Sequence, residues 1–115
     1  MKVFLDDIRD APNGTWHIAR SAEEARKLLE IHDVTELSLD HDLGYLDQYG
    51  RPGEPTGYDL VKWMIDYLPP AMWPLRIYIH TANPTGRANM FALLNATAPR
   101  FVTIHNCDVH SIGKI

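Results

Sequence analysis

The sequence has one cysteine, Cys107, in 115 residues, so no intramolecular disulfide can form and the chain suits a reducing compartment. It has no apolar run near the roughly 18 residues that a membrane helix needs. Its first residues, Met-Lys-Val-Phe-Leu-Asp-Asp, lack the apolar stretch of a signal peptide, so the expectation is a cytoplasmic protein with no membrane contact. Excess positive charge is missing as well. The 15 acidic residues outnumber the 11 basic ones for a net charge of -4, so no long-range attraction to a polyanion, and no duplex DNA binding, is expected. A phosphate-bearing ligand must instead be held locally, by a few Arg side chains, backbone amides or a metal. Walker loop, zinc-ligand spacing and Ser-His-Asp ordering are all missing.

What is present is ordinary in bulk: 45% hydrophobic and 23% charged residues, in a length that fits one domain over residues 1–115. Lys2 to Leu5 is a short β-rich run ending in Asp6-Asp7. Residues 8–15, with Pro12 and Asn13-Gly14, read as a loop or turn. Trp16 to Ala19 reads as a second strand, and Ser21-Ala-Glu-Glu24 matches a capping box opening a helix to about Ile31. Its apolar stripe is Ala22, Ala25, Leu28, Leu29 and Ile31. Glu36 to Leu39 is the next strand. Residues 45–55, with Gly50, Pro52, Gly53 and Pro55, read as either a lid or an ordinary surface connection. Thr56 caps a helix to about Leu68, stopped by Pro69-Pro70, with Leu60, Val61, Met64, Ile65 and Leu68 facing inward. Further strands are expected at 75–79 and 101–104, with a helix at 86–96 between them whose core residues are Met90, Phe91, Leu93 and Leu94.

Strands separated by helices predict a parallel sheet with helices on both faces. The first connection, residues 8–15, is too short for a helix, because a parallel crossover usually takes about a dozen residues. The first helix is therefore short or missing. In such a sheet all carboxyl ends point one way, so Asp6-Asp7, Asp40-His41-Asp42, His80-Thr81 and His105 are expected on one rim.

Clustered carboxylates raise one another's pKa unless a cation lies between them. Oxygen donors of this kind suit Mg2+ or Mn2+, so Asp6, Asp7 and Asp40 are candidate ligands for a divalent metal. A solvated acidic rim is the alternative; three strands ending alike weigh against it. His41 and His80 stand beside the carboxylates, and imidazole moves protons near neutral pH, so they are candidates for the acid and base, with Asp42 completing the shell or orienting His41. A purely structural role is open for each. Asn83-Pro-Thr-Gly-Arg87 opens a helix, where free amides favour an anion and Arg87 adds a bidentate donor. An ordinary helix start with an exposed Arg has the same sequence.

Two templates fit poorly. Haloacid-dehalogenase-type phosphatases share the Asp40-His-Asp42 spacing, but Leu43 stands where Thr or Val is expected and the pair lies mid-chain. Topoisomerase-primase domains place a Glu upstream, where this chain has Asp6-Asp7.

The chain resembles a response-regulator receiver domain, with an acidic pair after strand one, Asp40 after strand three and the Thr81 hydroxyl after strand four. That resemblance implies a flavodoxin-like five-stranded parallel sheet of order 2-1-3-4-5 and a metal beside Asp40, the phosphorylated position of receivers. Receivers carry a Lys at the end of strand five; here residues 101–107 offer His105. The closer resemblance is to cyclic-phosphate-processing receiver-like domains, carried by Val3-Phe-Leu-Asp-Asp-Ile-Arg9, Leu37-Ser-Leu-Asp-His-Asp-Leu-Gly44, Thr56-Gly-Tyr-Asp59 and Ile79-His-Thr-Ala-Asn-Pro-Thr-Gly-Arg87. It implies a metal-dependent phosphoesterase acting on a cyclic phosphate, at a 2′,3′-cyclic RNA end or in a cyclic nucleotide. In that reading Arg87, Thr81, Asn83 and Arg9 are the phosphate-binding candidates. The other function class is a non-enzymatic signalling or metal-binding module with Asp40 as phosphoacceptor.

Overall fold

The structure, a computed structural model, describes residues 1–43 and 55–106. Nearly all of the 45–55 segment, and Cys107, lie outside these residues. Five strands, β1 (Lys2–Leu5), β2 (Trp16–Ala19), β3 (Glu36–Leu39), β4 (Arg76–Ile79) and β5 (Thr103–Asn106), form one parallel sheet of order β2-β1-β3-β4-β5. Between them run α1 (Ala22–Ile31), α2 (Gly57–Tyr67) and α3 (Pro84–Thr97), with a 3-10 turn at Pro70–Met72. No described helix is long and apolar enough to cross a membrane.

The sheet side chains alternate between two faces. On one, Val3, Leu5, Leu37, Leu39, Ile77 and Ile79 meet Ala25 and Leu29 of α1, Leu60, Val61 and Met64 of α2, and Met90 and Leu94 of α3 in a single core. The helices lie side by side there, α1 against α2 and α2 against α3. The other face carries a smaller aromatic cluster of Phe4, Trp16 and Tyr78, with Ala11 packed against it. No described helix covers this second face, because β1 passes to β2 through the connection read as too short for one. In cross-strand register, Lys2, Glu36 and Arg76 form one row and Phe4, Ser38 and Tyr78 the next.

Local chemistry sets the helix starts. Ser21 accepts from the Glu24 amide at 3.1 Å, but the Glu24 carboxylate reaches back to the Arg20 amide, one residue beyond the expected box. The Thr56 and Asp59 box is complete, each side chain taking the other's amide. α3 begins at Pro84, two residues before the expected Gly86, since Asn83 accepts from the Gly86 amide at 3.0 Å and Pro84 arrives with its φ already helical. β5 is displaced two residues toward the carboxyl end: Phe101 is 49% exposed, and pairing starts where the Thr103 amide donates to Leu75 O. Ile31 is also exposed, outside the α1 stripe. Thr56→Ala removes the cap that seats α2 and is expected to lower the unfolding free energy by about 1 kcal/mol, read from a urea titration.

Candidate functional site

Alternation carries the second face upward to the site. Two positions beyond Phe4, Ser38 and Tyr78 come Asp6, Asp40 and His80, where the strands end and the ladder gives out. Each contributes one ligand atom to a group in which all such atoms lie within 4.8 Å of one another, and all three residues are buried. Asp7, half-buried, stands outside this trio.

The two carboxylates are held differently. Asp6 Oδ1 accepts from the Ile8 and Arg9 amides at 3.0 and 2.8 Å, and Oδ2 accepts from His80 Nε2 at 3.1 Å. Burial by itself pushes the Asp6 carboxyl up, but these bonds outweigh it and hold the group below the usual carboxylate range. Burial also pushes Asp40 up. Its bond from the Thr81 hydroxyl opposes this, the charge of Asp6 reinforces it, and Asp40 ends above the ordinary value. Two buried carboxylates that disagree in this way form a donor set that a divalent cation fits, since the cation removes the conflict.

His80 is enclosed. Its ring stacks on Phe4 with centroids 4.4 Å apart and planes 5° from parallel, Nδ1 lies 2.6 Å from Ser38 Oγ, and Nε2 faces Asp6. In the tautomer that donates from Nε2 to the carboxylate, Nδ1 accepts a hydrogen bond from the Ser38 hydroxyl. Both nitrogens are engaged.

His41 is placed otherwise. Its amide donates to Asp40 Oδ1 at 2.8 Å, and its Nδ1 lies 2.8 Å from Asp42 Oδ1. The Asn83 amide nitrogen in turn donates to both Asp42 oxygens at 3.3 Å, while Asn83 Oδ1 caps α3. The Asp42 carboxylate thus fixes the Nδ1–H tautomer, leaving Nε2 with no partner among the described residues. Two glycines make room for this arrangement. A Cβ on Gly57 would overlap the Asp40 carbonyl oxygen, and the Gly57 amide donates to His41 O at 2.9 Å. A Cβ on Gly86 would stand 2.5 to 2.9 Å from His41 side-chain atoms.

Of the arginines, Arg9 Nη1 lies 3.7 Å from Asp6 Oδ2, at the trio itself. Arg87 turns back on its own loop, donating from Nη2 and Nε to Thr81 O at 2.6 and 3.3 Å. His105 does not reach the rim. It lies inside β5, stacks on Tyr78 with centroids 5.2 Å apart, and faces Thr103 Oγ1, because the two-residue displacement of β5 puts it one row lower.

Sequence reasoning passed over Ser38, Phe4 and Arg20. Ser38 had a signal: a hydroxyl in the middle of Leu37-Ser38-Leu39, two positions from Asp40 and so on its face. Arg20 had none. Its guanidinium donates to Asp6 O, Arg9 O and Asp10 Oδ1, fastening the β1–β2 connection beside the site.

No curated protein and no solved structure matches the chain. The family described as the cyclic-phosphate processing receiver domain matches residues 1–96, a span that takes in every element from β1 to nearly the end of α3 and both sides of the Asp6, Asp40 and His80 trio. With the sheet order and the strand-end carboxylates of a receiver already established, the chain belongs to the cyclic-phosphate processing receiver domain family.

Proposed function

We propose that the protein is a divalent-metal-dependent phosphoesterase that opens a cyclic phosphodiester. The observation that carries this reading is the pairing of two buried carboxylates with a histidine whose amide bonds one of them and whose Nε2 stands unpartnered among the described residues. Asp6 and Asp40, with Asp7 adjacent, would hold Mg2+ or Mn2+, which when bound polarises the phosphoryl group. Water adds to phosphorus, one ring P–O bond breaks, and the freed ribose oxygen takes a proton, giving a phosphomonoester.

His41 is the proton carrier in this scheme. Asp42 holds its Nδ1–H, so Nε2 takes a proton from the attacking water and returns it to the leaving oxygen. His80 plays another part. Bonded on both sides and closed off from solvent, it orients Asp6 as an outer-shell partner does. Thr81 steadies Asp40, Asn83 steadies Asp42, and Arg9 and Arg87 supply positive charge for the phosphoryl oxygens.

The test is turnover of 2′,3′- and 3′,5′-cyclic nucleotides with Mg2+ or Mn2+. His41→Ala is expected to lower kcat about a hundredfold or more. His80→Gln is expected to weaken metal binding about 10–100-fold while keeping most of kcat at saturating metal. Turnover untouched in the His41→Ala, His80→Ala double variant would sink both assignments. A stable acyl phosphate on Asp40 after treatment with a small phosphodonor, without hydrolysis of any cyclic phosphate, would point to the signalling module instead; β5 carries no Lys to clasp such a phosphoryl group.

A further inference from the structure

At the carboxyl ends of β4 and β5, where Ala82 follows His80-Thr81 in the chain, lies an open cavity of about 570 Å³ lined by Ala82, Pro84, Arg87, Ala88, Phe91 and Asn106. Its size falls in the range of small-ligand sites, and its composition is of that kind: apolar walls with a few polar groups. Pro84 and Phe91 supply flat apolar surface, and the Asn106 amide supplies both a donor and an acceptor. Asn106 pairs with Ile79, so it stands at the rim, level with the last paired residue of β4.

We propose that this cavity receives the nucleobase of the substrate, so that the protein acts on nucleoside cyclic phosphates and not on base-free ones. The inference rests on the phosphoesterase reading for the position of the phosphate. Arg87 joins the two places: it lines the cavity, while its guanidinium is seated on the carbonyl of Thr81, whose hydroxyl holds Asp40. In this placement the phosphate lies at Asp40 and the base against Phe91, with the ribose between them. A net charge of -4 gives no long-range attraction to a nucleic-acid backbone, so recognition of a nucleotide falls to a local pocket of this kind. The base stacks on Phe91 and meets the Asn106 amide along its polar edge.

The experiment has a binding arm and a turnover arm. In the first, adenosine 3′-monophosphate, a short oligoribonucleotide ending in a 3′-phosphate, and glycerol 1-phosphate are titrated while amide resonances are followed by NMR. The nucleotide is expected to shift the amides of Ala82, Arg87, Ala88 and Asn106 and to bind at least tenfold tighter than glycerol phosphate. Ala88→Trp, which fills the cavity from an exposed position, and Asn106→Ala are each expected to reduce that preference at least tenfold. Preference for the oligonucleotide over the mononucleotide identifies an RNA end as the source of the base; the reverse identifies a free nucleotide. In the second arm, adenosine 2′,3′-cyclic monophosphate is compared with glycerol 1,2-cyclic phosphate. Equal binding of nucleotide and glycerol phosphate, or a preference that survives both variants, overturns the base pocket even if cyclic phosphates are hydrolysed. Hydrolysis of neither substrate alongside a preference lost in Ala88→Trp overturns the phosphoesterase reading and leaves the pocket standing.

Discussion

Asp40→Asn is expected to act in opposite directions on stability and activity. In the metal-free protein it removes one of two buried carboxylates whose charges oppose each other, while the Asn oxygen still accepts from the His41 amide. The sign follows from linkage. The Asp40 pKa is raised on folding, so its contribution is most favourable below the unfolded value and is lost as pH rises through the folded value. Above the folded value the native state carries the cost of that ionised group. Asp6 runs the other way: its pKa is lowered on folding, so its contribution is present above the unfolded value and lost as pH falls through the folded one. Asn at position 40 therefore raises the thermal midpoint at pH 7 by about 4 °C or more, corresponding to roughly 1 kcal/mol for a domain of this size. The gain shrinks as the pH is lowered toward the ordinary carboxylate range. Metal-supported turnover falls about a thousandfold, the effect of losing several kcal/mol of charge stabilisation. Calorimetry across pH, with and without Mn2+, checks the first part; a midpoint that drops in the metal-free variant would show that Asp40 is not electrostatically strained.

Gly57→Ala is expected to be the most damaging glycine-to-alanine change among the described residues. The added carbon meets backbone, the Asp40 carbonyl, which cannot swing aside, and the α2 start must pull away from the loop that carries His41. A loss of about 3 kcal/mol or more follows, a large fraction of the 5–15 kcal/mol that holds a typical domain together. Gly86→Ala is the instructive comparison. There the obstacle is the His41 ring, which can rotate away, and Ala in place of Gly inside α3 returns up to about 1 kcal/mol of helix propensity. Denaturant midpoints should separate the two variants, Gly57→Ala near unfolding and Gly86→Ala close to the parent, while turnover is depressed in Gly86→Ala because the imidazole has lost its seat.

The parallel sheet and its order were legible because each strand combined a short β-rich run with an abrupt change to polar residues, and Asp6 and Asp40 could be placed on one rim from that alone. The short 8–15 connection likewise announced the absent first helix. What was not legible depended on parity and on close approach. Asp7 and Asp6 look equivalent as a dipeptide, yet the ladder leads into only one of them at the trio. His41 and His80 look like a matched pair, but a strand end buries one between Phe4, Ser38 and Asp6 while a loop position leaves the other with a nitrogen unpartnered among the described residues. The end of β5 was misplaced because Phe101 reads as a strand residue, and only pairing with β4 reveals that it lies outside the sheet. Thr56 and Gly57 were visible as a helix cap, but nothing in one sequence tells that the glycine also makes room for a neighbouring carbonyl.

The Arg20 brace has a consequence for affinity. A ten-residue connection between parallel strands, with no helix inside it, would normally retain many conformations and would have to be ordered each time a ligand arrived. Here one guanidinium fastens Asp6 O, Arg9 O and the Asp10 carboxylate together, so much of the loss of chain entropy falls on folding and little is left for the binding step. The acidic end of β1 is thereby preorganised, and capture of the proposed divalent ion there should be limited by dehydration of the ion, with little contribution from rearrangement of the loop.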